Sequence, residues 1–206
     1  MSRIIGVNSL HIAEVLTDTS TGSTFGTPKK VPSLVSIEIA DQKENVTFYS
    51  DDTIEQVIPA FSGKEVTIEL GYLTHEIEAM ITGNQYEEGV YVQNSNAIAK
   101  NYALLFKAPL SAGGNRYVCL YKGVLAKDET AYQGKGESIE SSNVTLSGVF
   151  MPLLSNGRAE IKVDDNDETL TETQKTMIKS WFTKVPEYTK TTSDAHVMRK
   201  KSEKAE

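Results

Sequence analysis

Residues 115–126 read NRYVCLYKGVLA, and the predicted architecture is built around this segment. In an extended strand, alternate side chains point to opposite faces. One face would then carry Tyr117, Cys119, Tyr121 and Gly123, and the other Val118, Leu120, Lys122 and Val124. Both sets are mostly apolar, which is typical of a strand that is covered on its two faces. We therefore expect a central β-strand with other parts of the chain packed above and below it.

Other segments alternate between apolar and polar residues, which indicates strands with one buried face. In Ser138–Met151, after a polar loop, the apolar set is Val144, Leu146, Gly148 and Phe150. In Lys64–Tyr72, Val66, Ile68 and Leu70 alternate with Glu65, Thr67 and Glu69. Shorter strands are predicted at Leu34–Ile39 (Val35, Ile37 and Ile39 inward), Val46–Tyr49, Val90–Gln93, Tyr102–Phe106 and Gly157–Val163. The chain is therefore predicted to be mainly β.

Two short helices are predicted beside the strands. Thr74 can cap a helix that runs through Met80 and Ile81 and ends at Gly83. A second helix follows a capping-box pattern, Thr169 to Glu172. Its apolar stripe consists of Met177, Ile178, Trp181, Phe182 and Val185, and it stops before Pro186.

These elements divide the chain into two parts. Residues 1–165 form the predicted β domain, with an N-terminal arm (1–16) and a polar loop (17–30), and Thr53–Phe61 is expected to be irregular. Residues 166–206 hold the C-terminal helix and a flexible basic tail. The net charge is −7, yet residues 173–206 carry eight basic and four acidic residues. The rest of the chain, residues 1–172, is therefore acidic. An acidic protein of this kind is not expected to bind nucleic acid by neutralising its phosphates.

The sequence lacks the patterns that mark catalytic, cofactor or metal sites. The single cysteine, Cys119, excludes a disulfide framework and is expected to be a buried apolar residue. The three histidines are scattered, and His75-Glu76 lacks the second histidine of a zinc-protease helix. We therefore predict no catalytic residue, no cofactor and no metal, and thus no enzyme. No apolar run is long enough to span a bilayer and no secretory signal is visible, so we expect no membrane insertion.

Six short motifs occur in order along residues 5–165. They are Leu10-His11-Ile12-Ala13, Phe25-Gly26-Thr27-Pro28, Phe48-Tyr49-Ser50-Asp51-Asp52, Gly89-Val90-Tyr91-Val92-Gln93-Asn94, Tyr117-Val118-Cys119-Leu120-Tyr121-Lys122-Gly123 and Gly157-Arg158. Together they resemble the major tail protein family of long, non-contractile-tailed bacteriophages (siphophages) of Gram-positive bacteria. That family often has a larger aromatic residue where Cys119 stands.

The resemblance implies a structural virion protein, the tail tube subunit, with a β-sandwich or barrel-like domain and a short flanking helix. Six copies would form a ring (a homohexamer), and rings would stack into a tube around the tape-measure protein. The tube would adjoin the tail terminator and the baseplate or distal tail proteins. It would be the conduit for genome ejection, with DNA passing through without specific binding. The protein would be made in the host cytoplasm and located in the virion tail.

A tube of this kind needs a lining and contacts between subunits. Candidates for the channel lining are the residues on polar strand faces, Glu38, Glu65, Glu69 and Glu140. An acidic wall would repel phosphates and let DNA slide, although each glutamate could equally face outside solvent. Candidates for inter-subunit contact come from the arm, the loop, Ser50–Phe61 and the C-terminal helix. They are Ile4, Leu10, Phe25, Ile54, Val57, Phe61, Trp181 and Phe182.

Two other functions are compatible with the sequence. One is a β-sandwich binding module of a phage baseplate or bacterial surface, which would recognise carbohydrate through exposed tyrosines. The candidates for that patch are Tyr86, Tyr91, Tyr132 and Tyr188. The other is the tube subunit of a phage-derived tail-like particle, which shares the assembly but carries no genome. The host, the ring symmetry, the tube diameter and the role of residues 173–206 are left open by the sequence.

Overall fold

The structure is a computed structural model that describes residues 2–50, 53–128 and 143–188; the side chains of 44–50 and 53–60 are outside the description. The strands are β1 (Asn8–Thr19), β2 (Gly22–Phe25), β3 (Lys29–Lys30), β4 (Leu34–Ser50), β5 (Thr53–Leu70), β6 (Gln85–Glu87), β7 (Val90–Val92), β8 (Tyr102–Pro109), β9 (Asn115–Lys127), β10 (Val144–Met151) and β11 (Glu160–Asp164). The helices are α1 (His75–Thr82) and α2 (Glu172–Lys179).

Nine of these strands form one antiparallel sheet, in the order β2-β1-β8-β9-β10-β5-β4. β3 pairs with β1, and β11 pairs with β9 beyond the end of β10. The sheet folds over until β1 and β4 touch, but within the described residues it does not close into a barrel. The predicted mainly β fold with a short flanking helix and a C-terminal helix is confirmed.

The sheet has two hydrophobic cores, one on each face. The main core lies inside the fold and includes Leu10, Ile12, Val66, Ile68, Leu70, Ile77, Ile81, Tyr102, Leu104, Phe106, Val118, Leu120, Leu125, Leu146 and Phe150. The second core lies on the outer face of part of the sheet and consists of Ala13, Ala103, Leu105, Cys119, Tyr121, Leu153, Trp181 and Val185. Strand β9 contributes to both cores, which confirms that it is a central strand covered on two faces.

The predicted faces of β9 are correct only as far as Tyr121. Tyr102 lies opposite Gly123 whereas Leu104 lies opposite Leu120, so β9 holds one extra residue, a β-bulge. The bulge reverses the alternation, and a Cβ on Gly123 would lie 2.5 Å from the ring of Phe150 in the main core. A β-bulge between Leu34 and Ser36 likewise leaves Val35, predicted to face inward, half exposed.

Helix α1 has the predicted caps, with Thr74 accepting from the Ile77 N–H and Gly83 in the left-handed region at φ 74°. The start of α2 was wrong by two residues. Its capping box joins Thr171 and Gln174, because Thr169 instead donates to the carboxylate of Asp167. The helix ends at Lys179, and the turns after it carry Trp181 and Val185 into the second core. The C-terminal helix is therefore part of the same packed unit as the sheet.

The predicted N-terminal arm and polar loop are also corrected. β1 continues to Thr19 and pairs with β2, with Asp18 opposite Ser23. β1 is therefore an interior strand, placed between β8 and the short strands β2 and β3. Threonine favours extended backbone, and a strand at the edge of a sheet needs no apolar run, so the polar composition of residues 17–30 was misleading.

Strands β4 and β5 form one hairpin of 17 and 18 residues, where separate short strands and an irregular segment were predicted. Only residues 64–70 of β5 also pair with β10. In the described structure the outer half, from Lys43 to Phe61, pairs only with itself. Pro59 is tolerated because this part of β5 has a neighbouring strand on one side only.

Candidate functional site

The outer face of the sheet is open to solvent along β4, β5, β10 and the end of β9. We call this surface the acidic face. Its positions are Ser36, Glu38, Ala40, Glu65, Thr67, Glu69, Val124, Ala126, Thr145, Ser147 and Val149. They alternate with Val66, Ile68, Leu146 and Phe150 of the main core, so the two sets point to opposite sides of the sheet.

Three of the four predicted lining glutamates lie on the acidic face. Glu65 faces Ala40 and Val149 across the strands, whereas Glu38 lies opposite Thr67. Glu69 accepts hydrogen bonds from Ser36 (3.2 Å) and from the Asn143 amide (2.7 Å). None of the described positions of this face is a lysine or arginine. The fourth candidate, Glu140, lies outside the described residues.

The acidic face is bordered by apolar side chains. Val149 and Val124 are cross-strand partners, and Met151 follows on the same face of β10. Their exposed fractions are 42%, 37% and 41%. Carboxylates therefore lie beside a short, partly exposed apolar row, where β9 and β10 meet.

The remainder of the outer face, over β1, β8, β9 and β11, is covered by the segment that follows α2. Trp181 is completely buried against Tyr117, with ring centroids 5.6 Å apart. Phe182 stacks on His11 at 4.5 Å. Burial, together with nearby Lys30, lowers the pKa of His11, although the bond to the Ser9 carbonyl opposes this.

Two ion-pair clusters join separate elements of the sheet. Lys122 donates to Asp18 at 2.8 Å, and Asp18 also accepts from Ser23 and from the Leu154 N–H. Burial alone would raise the pKa of Asp18, but these donors outweigh it and lower the pKa. The second cluster is centred on Lys64.

Lys64 is buried where the β4–β5 hairpin leaves the sheet. It pairs with Asp41 of the hairpin at 2.5 Å and with Glu160 of β11 at 3.1 Å. Burial lowers the pKa of Lys64, but the two carboxylates raise it above the usual value. The base of the hairpin is thereby joined to β11. Neither cluster was predicted from the sequence, and only Lys122, a lysine inside an otherwise apolar strand, offered a signal.

The predicted inter-subunit residues have four different outcomes. Leu10 (1% exposed) and Trp181 (0%) belong to cores of their own chain, so these two predictions are corrected. Phe25 and Phe182 are partly buried against the second core. Ile4 and Phe61 are 55% and 44% exposed and remain candidates. The side chains of Ile54 and Val57 lie outside the description.

The predicted tyrosine patch is divided among different elements. Tyr86 and Tyr91 are cross-strand partners in the β6–β7 hairpin. Tyr188 lies beside Arg158, 5.5 Å from its guanidinium, at the end of the described chain. Tyr132 lies outside the described residues.

The described residues were also compared with the requirements of a reactive thiol, a metal site and a membrane-spanning helix. Burial raises the pKa of the Cys119 thiol well above its usual value, which disfavours the reactive thiolate. Within residues 2–50, 53–128 and 143–188, no three His, Cys, Asp or Glu side chains are grouped so that they could hold a metal ion. Neither helix of the described chain has the length and apolar character needed to cross a membrane.

A scan against protein-family models and a search of curated proteins both found no match to this chain.

Proposed function

We propose that this chain is a structural protein, the subunit of a bacteriophage tail tube. In this proposal six copies form a ring, and stacked rings enclose the tape-measure protein and later conduct DNA. The tail terminator and the baseplate or distal tail proteins would close the two ends of the tube. The motifs that resemble the major tail protein family motivate the proposal, and two features of the fold support it.

The β4–β5 hairpin is the observation that carries the proposal. Its outer half, Lys43–Phe61, has no strand neighbour in the described chain apart from its own partner strand. A two-stranded ribbon is only marginally stable in water without a surface to pack on. A subunit that assembles with copies of itself supplies that surface, and Lys64 fixes the direction in which the hairpin leaves the sheet.

The acidic face supplies a suitable channel wall. Its listed positions are open to solvent and include no lysine or arginine, and Lys122 at its border is paired with Asp18. The face would therefore repel the phosphates of DNA over roughly a Debye length, about 8 Å at physiological salt. A basic surface would instead retain DNA through counterion release. In the proposed tube, Glu38, Glu65 and Glu69 therefore face the channel.

Negative-stain electron microscopy of the purified protein at rising concentration tests the proposal. We expect rings or tubes of uniform diameter. The double variant Thr47→Pro/Val57→Pro, which removes N–H donors from the outer hairpin, should stay at subunit size while it retains its β-sheet circular dichroism spectrum. Its control is Ala99→Pro in an exposed loop, which should assemble normally.

A wild-type protein that remains a single subunit at every concentration would overturn the proposal. Assembly that is unchanged by the two hairpin prolines would show that the hairpin is not the element that requires neighbours.

A further inference from the structure

The β6–β7 hairpin presents an apolar face to solvent. Its strands pair Tyr86 with Tyr91, so the two tyrosines share one face, and Val90 and Val92 lie on the other. The two valines are 60% and 45% exposed. We call this surface the valine face. Two neighbouring apolar side chains on one exposed face mark a candidate contact surface.

The valine face is held in a fixed orientation by the opposite face of the hairpin. The Asn84 side-chain amide donates to the Tyr91 hydroxyl at 2.8 Å, and the Asn84 side-chain oxygen accepts from the Asn94 N–H at 2.9 Å. Asn84 directly follows Gly83, the C-cap of α1. The hairpin is therefore tied to the helix, and a partner that binds the valine face would lose little conformational entropy in ordering it.

A second exposed apolar surface is formed by residues 3–5, which extend along the last residues of β8. Ile4 forms a bridge with Leu110, and the Ile5 N–H donates to the Pro109 carbonyl at 3.0 Å. The backbone of this segment is thus bonded to its own subunit. The side chains of Ile4 and Ile5 are nevertheless 55% and 67% exposed. We call this surface the isoleucine segment.

The two surfaces lie at opposite ends of β8. Tyr86 of the hairpin and Tyr102, the first residue of β8, line the same cavity of about 440 Å³. Pro109, the last residue of β8, bonds to Ile5. Eight residues of strand separate the two ends by about 26 Å. A contact between unlike ends of two copies can be repeated by every copy that is added, which produces a continuous stack.

Charge favours a contact between unlike ends. Glu87 and Glu88 are both exposed and directly precede the strand that carries the valine face. Arg3 adjoins Ile4 in sequence, and Lys107 lies near the same end of β8. Acidic side chains at one surface and basic side chains at the other favour pairing of the two and fix its orientation. Two hairpins placed face to face would instead bring four carboxylates together.

The nearest acidic residues on the sheet do not cancel the charge of the isoleucine segment. Asp164 is paired with Arg116 at 2.7 Å, and Asp165 accepts from the Asn115 N–H at 2.7 Å. Both belong to the β11 side of β9, three strand spacings or about 14 Å from residues 3–5. That separation exceeds the Debye length of about 8 Å at physiological salt.

We propose that the valine face of one copy docks on the isoleucine segment of the next copy. The apolar side chains supply the contact, and the charges around them set its direction. This inference rests on the proposed function, because it names a contact that joins successive subunits of the assembly.

Disulfide cross-linking of the full-length protein at assembly concentrations tests the contact. Val90→Cys and Ile5→Cys each add one accessible thiol, since the native Cys119 is completely buried. On oxidation the double variant should form a ladder of covalent multimers. A mixture of the two single variants should stop at dimers, and each single variant alone should stay at subunit size. The matched control combines Val90→Cys with Val35→Cys, a half-exposed position in β4, and should give no ladder.

Charge reversal in the double-cysteine protein tests the predicted direction. Glu87→Lys/Glu88→Lys should lower the yield of the ladder at least about ten-fold, because like charges then meet. Adding Arg3→Glu/Lys107→Glu should restore the yield. Glu87→Gln/Glu88→Gln should leave the ladder in place, because the valines remain and no repulsion is introduced.

A double-cysteine protein that stays at subunit size at every concentration would overturn this inference. Cross-linking of Val90→Cys with itself would also overturn it, because hairpins would then meet each other. Failure of the second charge reversal to restore the ladder would count against the pairing of the two surfaces. Microscopy judges the proposed function separately. Uniform tubes without a ladder would exclude this contact alone, and a ladder without rings or tubes would exclude the tube and leave the contact standing.

Discussion

The outer face of this sheet is covered over one half and open over the other, although both halves rest on the same main core. On the covered strands the outward positions include Ala103, Leu105 and Cys119. On the open strands they include Glu65 and Glu69. The side chains that point outward, away from the main core, therefore determine whether a second layer of the chain can pack on the sheet.

Burial energetics explain the division. Small apolar side chains leave room for a large indole, and burial of apolar area stabilises by about 25 cal/mol per Å². The carboxylates of the open half would lose their hydration if they were covered without partners, which is costly. Trp181 therefore packs on the covered half and stabilises it. The acidic face remains exposed to solvent.

The largest difference between the halves should appear on truncation. Trp181→Ala removes a completely buried indole and should lower the free energy of unfolding by about 3–5 kcal/mol. The control on the open half is Val149→Ala, 42% exposed, for which we expect a change of about 0.5 kcal/mol or less. Urea denaturation measures both. Equal effects would mean that the indole does not stabilise the covered half.

The second test separates a buried ion pair from an exposed one. Lys122→Met leaves the Asp18 carboxylate, whose side chain is 4% exposed, without its cation, and should cost about 1.5–3 kcal/mol. Lys162, which also pairs with a carboxylate, is 51% exposed, so Lys162→Met should change stability by about 0.5 kcal/mol or less. Thermal unfolding should separate the two variants, and similar melting temperatures would contradict the assignment of the Asp18 cluster to the covered half.

Features whose determinants are local were predicted correctly from the sequence. The caps of α1, Thr74 and Gly83, act within one helical turn of the residues they cap, so the pattern predicted them correctly. The core faces of β5 and β10 followed from alternation, and with them the placement of Glu65 and Glu69 on one surface. The β-bulges before Gly123 in β9 and at Val35 in β4 were missed because an extra residue is defined by the partner strand, not by the strand's own sequence.

Two predictions near the ends of the chain, for residues 17–30 and for Trp181, failed because they depend on tertiary contacts. Residues 17–30 are polar enough for a loop, but the pairing of Asp18 with Ser23 makes them a hairpin. Trp181 was a plausible contact for a neighbouring subunit, because the helix predicted from the sequence has an apolar stripe and the sequence shows no partner for it. Only the fold shows that β1, β8 and β9 of the same chain supply the partner.

A smaller effect is expected on the pH dependence of the free energy of unfolding, and it should arise on the covered half, at His11. His11 has a lowered pKa in the folded chain, chiefly through burial. The unfolded chain therefore takes up the proton first as pH falls below about 6.5. The contribution of neutral His11 to the stability of the fold is complete above that pH. It is lost as the pH falls through the pKa of His11 in the folded chain. Between pH 7.5 and 5.5, His11→Gln should lose less stability than wild type in urea titrations, and parallel losses would refute this role.

The smallest effect on the subunit is expected on the acidic face itself. Glu38→Gln, Glu65→Gln and Glu69→Gln remove charge from exposed or half-buried positions, and each should change unfolding free energy by about 0.5 kcal/mol or less. The combined variant should nevertheless retain more DNA on assembled tubes at low salt, because the wall then repels phosphates less. Its control removes the same charge elsewhere, through Glu87→Gln, Glu88→Gln and Glu168→Gln.

Co-sedimentation of short duplex DNA with the tubes distinguishes the two variants. If the acidic face lines the channel, only the combined variant of that face should gain retention, and the gain should vanish as salt rises and screens the charges. Equal retention by the control variant would place Glu38, Glu65 and Glu69 on an outside surface. The covered and open halves would then differ in packing alone, and the open half would have no particular relation to DNA.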